Sequence, residues 1–177
     1  FLGGEPQIGA QGFGGEIGHL RVRPGPGTPM GQRTAELGNL ASGRGTLWLS
    51  QGWEQPRGDE LAQGPITPEE SEAFATAFRA GDSRALQVVG AGAEPLAVAL
   101  GALHLGIGLQ RFIIVGGFAK ALGEPYRSLL VRLCRERTWD LGQDWERMIA
   151  LGAEGCDEGL SGALHFGSQR FMAALEC

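Results

Sequence analysis

The sequence predicts an α/β protein in which helices flank a mixed sheet, and three patterns lead to this prediction. The clearest strand is "RFIIVGGF" at 111–118, whose four consecutive apolar residues are typical of a strand covered on both faces. A glycine pair ends this strand, and a helix from about Glu124 to Arg137 follows, which makes a β-α unit. Two well-capped helices precede the unit, and a short strand near Met148–Leu151 follows it.

The first third of the chain is rich in glycine and proline. Residues 1–10 predict a strand, a turn and a strand, and "HLRVR" at 19–23 alternates as a strand does. Three prolines and three glycines mark 24–33 as a loop. A short helix is expected over 35–43, and 46–53 extends it beyond a break.

Two helices are predicted from their first residues. Thr67 is a suitable N-cap because a proline and two glutamates follow it, and Gly81 ends that helix. Asp82 caps a second helix that reaches about Leu109, in which Pro95 is expected to produce a kink or a split. The polar stretch 55–65 before these helices is predicted to be an exposed loop.

Composition limits the classes of protein to which the chain can belong. A net charge of −5 over 177 residues argues against a general nucleic-acid surface. No signal peptide and no charge-free run of about 18 apolar residues occur, so we expect a cytoplasmic protein without a membrane partner. Cys134, Cys156 and Cys177 form no CxxC pair and are expected to be free thiols.

The stretch "GGEIGH" at 14–19 is the first candidate binding motif. Glu16 and His19 are three residues apart, so one helical turn places both side chains on the same face. A carboxylate and an imidazole can together bind neighbouring hydroxyls of a polyol, and the glycines let a ligand approach the backbone. The alternative is a glycine-rich turn in which these two side chains have no joint role.

The glycine pair at the end of the apolar strand is the second candidate. In α/β proteins, nucleotides bind outside the carboxyl ends of the strands. Gly116 and Gly117 would let a base or ribose lie on the backbone. The alternative is close packing of the following helix against the strand. Neither GxGxxG nor a P-loop is present.

The motifs, in this order, resemble the ROK family of repressors, open reading frames and kinases. The matching stretches cover nearly the whole chain: "GAQGFGGEIGH" at 9–19, "LGNLASG" at 37–43, "AFRAGDSRAL" at 77–86, "FIIVGG" at 112–117 and "GLSGAL" at 159–164. The resemblance implies that 1–177 form the C-terminal lobe of a ROK-type protein. It implies an actin-like ATPase fold, which is ribonuclease H-like.

In the family's kinases, ATP with Mg²⁺ phosphorylates a sugar hydroxyl. The resemblance implies that Glu16 and His19 hold sugar hydroxyls, and that Gly116 and Gly117 lie against the adenosine. A sugar or cyclitol is the implied small-molecule partner, and a homodimer is the implied assembly.

Two departures from the family pattern concern ligands. The family's zinc loop, C-x-C-G-x-x-G-C, aligns with Pro29–Glu36, which contains no cysteine, so we predict that the structural zinc is absent. The family's glutamate in L-E-x-x-A-S-G is Gly38 here, and Glu36 could replace it as a substrate ligand only with a register shift. This loss suggests a less common ligand, such as a cyclitol or a modified sugar.

The third departure concerns catalysis. The family's catalytic aspartate and first phosphate loop lie N-terminal to the hairpin and are not in these residues, so the sequence contains no catalytic residue and this chain alone is predicted to be inactive. The leading interpretation is the C-terminal part of an ATP-dependent sugar or cyclitol kinase. The alternatives are the sugar-sensing domain of a ROK transcriptional repressor, which would bind DNA through a helix-turn-helix further upstream, and a degenerate, non-catalytic relative.

Overall fold

The computed structural model describes residues 11, 15–26, 34–52, 67–153, 157, 159–165 and 168. The hairpin predicted at 1–10, the loop predicted at 55–65 and two of the three cysteines therefore lie outside the described residues. The described elements are a 3-10 turn (Ile17–His19), four strands and seven α-helices: β1 (Arg21–Val22), β2 (Ala35–Glu36), α1 (Leu37–Ala41), α2 (Gly43–Ser50), α3 (Pro68–Arg79), α4 (Ser83–Ile107), β3 (Phe112–Ile114), α5 (Gly117–Leu122), α6 (Glu124–Arg137), α7 (Trp145–Met148) and β4 (Ile149–Leu151).

The described strands form two separate pairs rather than one mixed sheet, which corrects that part of the prediction. β1 and β2 are antiparallel, with Arg21 opposite Glu36, whereas β3 and β4 are parallel, with Phe112 opposite Ile149. The long helices α4 and α6 pack against each other, and α4 also contacts α1, α2 and α3. The described part of the chain is therefore an α/β protein in which helices dominate.

The predicted starts of α3 and α4 are confirmed. The Thr67 hydroxyl accepts a hydrogen bond from the Glu70 amide at 3.2 Å, and the Glu70 carboxylate accepts one from the Thr67 amide at 2.9 Å. This reciprocal pair is a capping box. At the start of α4, the Asp82 carboxylate accepts from the Ala85 amide at 2.8 Å. Both helices are thus specified by residues adjacent to their first turns.

Helix α4 continues through Pro95 as one element, so of the two expected outcomes, a kink or a split, the split does not occur. A proline removes one backbone hydrogen bond and crowds the preceding turn, which breaks a helix that nothing else supports. Here Pro95 is buried, and helices pack on several sides of α4. Among the described helices, α4 is long and apolar enough to cross a membrane, but more than half of its most apolar stretch is buried in the core. Burial in the core therefore explains why α4 is so apolar.

Strand β3 is covered on one face only, contrary to the prediction from its apolar run. Phe112 is buried, but Ile113 is 57% exposed and Val115, just beyond the strand, is 52% exposed. The helices that follow β3 pack on the Phe112 side. Trp145 of α7 lies with its ring centroid 6.4 Å from that of Phe112, at an interplanar angle of 20°.

The buried thiol of Cys134 provides a test of the core around α6. This residue is fully buried, and its burial raises the pKa of the thiol to about 12. At pH 8 we expect a thiolate fraction on the order of a thousandfold below that of an unfolded cysteine. With Cys156 and Cys177 changed to serine, Ellman's reagent should label Cys134 promptly in urea and scarcely in buffer. Fast labelling in buffer would contradict this packing.

Candidate functional site

The first predicted motif forms a short turn at the surface. Residues Ile17–His19 are a 3-10 helix that Glu16 precedes, and the His19 amide donates to the Glu16 carbonyl at 3.2 Å. Gly15 has a φ of 91°, which a residue with a side chain rarely adopts, so the glycine before Glu16 is required for the turn. Both predicted hydroxyl-binding side chains are exposed on this turn and accessible to a ligand.

The structure brings His19 together with Glu36, the third predicted substrate-binding residue. His19 Nδ1 lies 3.3 Å from Glu36 Oε2, and the two side chains are 72% and 34% exposed. The β1–β2 pairing and the Leu37 amide, which donates to the Leu20 carbonyl at 2.8 Å, hold the start of α1 beside the turn. Glu36 therefore lies within hydrogen-bonding distance of the motif, and its role as a substrate ligand stays a prediction.

Gly38 lies where the backbone of α1 approaches the turn. A Cβ atom at this position would be 3.3 Å from the Gly18 carbonyl oxygen, which is tighter than ordinary van der Waals contact. A side chain at Gly38 would therefore require the turn to shift by a few tenths of an ångström relative to α1. The close approach of the two backbones gives a physical reason for the glycine.

The second predicted motif borders a cleft of ≈ 300 Å³. One wall is the junction of α1 and α2 at Ala41, Ser42 and Gly43, and the other is the junction of β3 and α5 at 114–119. Leu96 and Tyr126 complete the lining, which contains no charged side chain. An uncharged cleft of this kind suits a neutral ring better than a phosphate group.

The two predicted nucleotide-binding glycines border open space. A Cβ atom at Gly116 or at Gly117 would meet nothing within 4 Å. Gly116 has a φ of 105°, a backbone conformation that favours glycine, whereas Gly117 does not have a positive φ that would require one. Close packing of α5 against the strand therefore does not explain Gly117, and its role in nucleotide binding stays a prediction.

Contacts between the two walls give the cleft its shape. A Cβ atom at Gly43 would lie 2.7 Å from the Phe118 side chain, so this glycine allows the start of α2 to pack on α5. On the other side of Phe118 is a second cleft of ≈ 330 Å³, which Arg44 and the N-terminal turn of α3 also border. Phe118 thus separates the two clefts.

Sequence reasoning missed Tyr126, which lines the first cleft and is 5% exposed. The chain contains a single tyrosine, and it lies in the first turn of α6, the helix after α5. The sequence signal that could have identified Tyr126 is a polar aromatic residue on an otherwise apolar helix face. Only the packing of α6 reveals that the residue lines the same cleft as the glycine pair.

Metal ligands are few in the described part of the chain. Within the described residues, no group of three or more His, Cys, Asp and Glu side chains could hold a metal ion. Residues 27–33, most of the aligned zinc loop, lie outside this part, so the absence of zinc stays a prediction. The lining of the first cleft is compatible with an uncharged group but offers no carboxylate for Mg²⁺.

Comparison with known proteins identifies relatives over most of the chain. The sequence model of the ROK family matches residues 1–166. Two C(7)-cyclitol 7-kinases, from Streptomyces hygroscopicus subsp. limoneus and subsp. jinggangensis (strain 5008), are each 36% identical to the chain over 186 residues. Each alignment covers 98% of this chain and 53% of the relative. The chain thus spans about half the length of the curated relatives it matches.

Proposed function

Because the chain belongs to the ROK family, we propose that it supplies the substrate- and nucleoside-holding part of an ATP-dependent kinase acting on a cyclitol or a sugar. The observation that carries the proposal is the uncharged cleft at Gly116 and Gly117, where space for a ligand is left open. A repressor that senses only a sugar has no use for this second site. The names of the two relatives support a cyclitol as the first substrate to test.

In this proposal the chain binds and orients, and the catalytic base comes from a segment outside these 177 residues. The turn at Glu16 and His19 accepts and donates hydrogen bonds to neighbouring hydroxyls of the acceptor. The cleft between α1 and α5 holds the nucleoside of ATP, which supplies the transferred phosphoryl group. The turn and the cleft belong to one actin-like lobe. Positioning of this kind provides much of the catalysis of phosphoryl transfer.

A coupled ADP-release assay tests the proposal. The full-length protein is supplied with Mg·ATP and a panel of hexoses, amino sugars and cyclitols, and the 177-residue chain is assayed beside it. We expect turnover by the full-length protein on at least one cyclitol or sugar, and none by the chain alone. Retained sugar binding without any turnover would overturn the kinase proposal and favour the repressor.

We expect Glu16, His19 and Glu36 to contribute unequally to substrate affinity. Glu16→Ala or His19→Ala should each weaken binding about tenfold or more, because each removes a hydrogen bond to a ligand hydroxyl that involves an ionisable group. Glu36→Ala should weaken it only a fewfold, because in this proposal the Glu36 carboxylate, 3.3 Å from His19 Nδ1, contributes mainly by orienting that ring. Calorimetry with the best substrate measures all three.

The matched control for these variants is Glu69→Ala, which removes an exposed carboxylate of α3 far from the turn in sequence. Its affinity should equal that of the unmodified protein. If the Glu16 and His19 double variant also binds substrate normally, the turn is not the hydroxyl-binding site.

A further inference from the structure

Tyr126 is a buried polar side chain at the edge of the first cleft for which the fold provides no partner. The residue is 5% exposed and lines the same cleft as the glycine pair. No hydrogen bond involves its hydroxyl among the described residues, and burial is the sole cause that raises the pKa of Tyr126 to about 12. Buried hydroxyls are normally hydrogen-bonded, so an unpaired one at a cleft requires an explanation.

The Tyr126 hydroxyl is unpaired but not sealed inside the core. Among the described side chains, the polar atom that is both fully enclosed and unpaired is Thr138 Oγ1. Tyr126 Oη is not fully enclosed, so part of its surface remains in contact with open space. The open space that Tyr126 borders is the cleft. A phenol in this position can both donate a hydrogen bond and accept one.

The fold also holds Tyr126 in place before any ligand binds. The residue lies in the first turn of α6, directly after Pro125, and its amide donates to the Gly123 carbonyl at 3.0 Å. Its ring is buried against the main core, with which α6 packs over its whole apolar face. The hydroxyl is therefore preorganised, and little conformational entropy is lost when it binds.

We propose that the Tyr126 hydroxyl hydrogen-bonds the nucleoside part of the bound nucleotide and is a specificity-determining residue of this site. The inference rests on the proposed function. The lining of the cleft offers no cationic side chain to pair with a phosphate, which favours the base or the ribose as the group that Tyr126 meets. A ligand that lacks a matching donor or acceptor leaves the Tyr126 hydroxyl unpaired and therefore binds more weakly. The site thereby discriminates against such a ligand.

The first test uses the fact that the chain has one tyrosine. In the 177-residue chain labelled with 3-fluorotyrosine, one ¹⁹F signal reports Tyr126 alone. We expect adenosine and ATP to shift this signal in a saturable manner, and inorganic triphosphate to leave it unchanged. A signal that stays fixed while calorimetry detects adenosine binding would overturn the proposal.

The second test compares two variants that each remove one unpaired hydroxyl. Tyr126→Phe should lower adenosine affinity about tenfold, while the melting temperature stays the same or rises. Thr138→Val removes the enclosed hydroxyl beside Gly101, outside the cleft, so it should leave adenosine affinity unchanged. A purely structural role for Tyr126 would instead lower the melting temperature without changing affinity in the folded protein.

The outcomes separate this inference from the function on which it rests. If the unmodified chain binds neither adenosine nor ATP, the nucleotide site fails, and the inference fails with it. If the unmodified chain binds adenosine and Tyr126→Phe binds it equally well, the inference alone is overturned. If Tyr126→Phe does not fold, the ¹⁹F titration of the unmodified chain decides.

Discussion

Replacing Gly92 by alanine is expected to lower the free energy of unfolding by about 3 kcal/mol, in the upper range for overpacked cores. Gly92 lies in α4 where this helix meets α1. A Cβ atom there would be 2.7 Å from the Leu40 carbonyl carbon and closer still to its oxygen. Backbone of a neighbouring helix cannot move as the end of a flexible side chain does, so α1 and α4 must separate.

The matched control is Gly90→Ala, two residues earlier in the same helix. A Cβ atom at Gly90 would meet nothing within 4 Å, so alanine should stabilise the helix by about 0.5–1 kcal/mol. Urea denaturation of both variants measures the difference. Equal stabilities for the two variants would show that α1 does not pack on α4 as described.

Filling the space above Gly117 is expected to abolish most nucleotide binding while leaving the fold intact. Gly117→Val adds two methyl groups at the edge of the cleft of ≈ 300 Å³, at a position where a Cβ atom meets nothing within 4 Å. A nucleoside must then lose its contact with the backbone of α5. We expect the affinity for ATP to fall about a hundredfold, or about 2.8 kcal/mol, with little change in melting temperature.

Gly106→Val is the control for this variant. It also adds a valine where a Cβ atom meets nothing within 4 Å, but it lies near the C-terminal end of α4 and does not line the cleft. Calorimetric titration with ATP should give the unmodified affinity for Gly106→Val. Normal ATP affinity in Gly117→Val would show that the nucleotide does not approach this glycine.

Features specified by neighbouring residues were predictable from the sequence. The caps at Thr67 and Asp82 and the helix Glu124–Arg137 are where the sequence predicts them, because their signals lie within one or two turns of the element. The strand at 149–151 was also predicted, since it is a short apolar run. For these elements, local chemistry and the final fold agree.

Features that depend on distant packing were not predictable. The apolar run of β3 gave no information about which face the helices cover, so the exposure of Ile113 was missed. The continuity of α4 at Pro95 depends on its helical neighbours. The partner of His19 is 17 residues away, and the pairing of β1 with β2 alone brings Glu36 to it. Spacing along the chain cannot supply such contacts.

The length of the five-residue helix α1 limits the insertions and deletions that the chain can tolerate. Glu36, just before it, meets His19, and Ala41 with Ser42 at its other end lines the cleft. One inserted residue would rotate one end relative to the other by about 100° and lengthen the helix by about 1.5 Å. A single insertion or deletion here would thus misalign the Glu36–His19 pair with the cleft, and with them the proposed acceptor and nucleotide sites, even if every side chain were kept. In this segment the number of residues is itself a functional constraint.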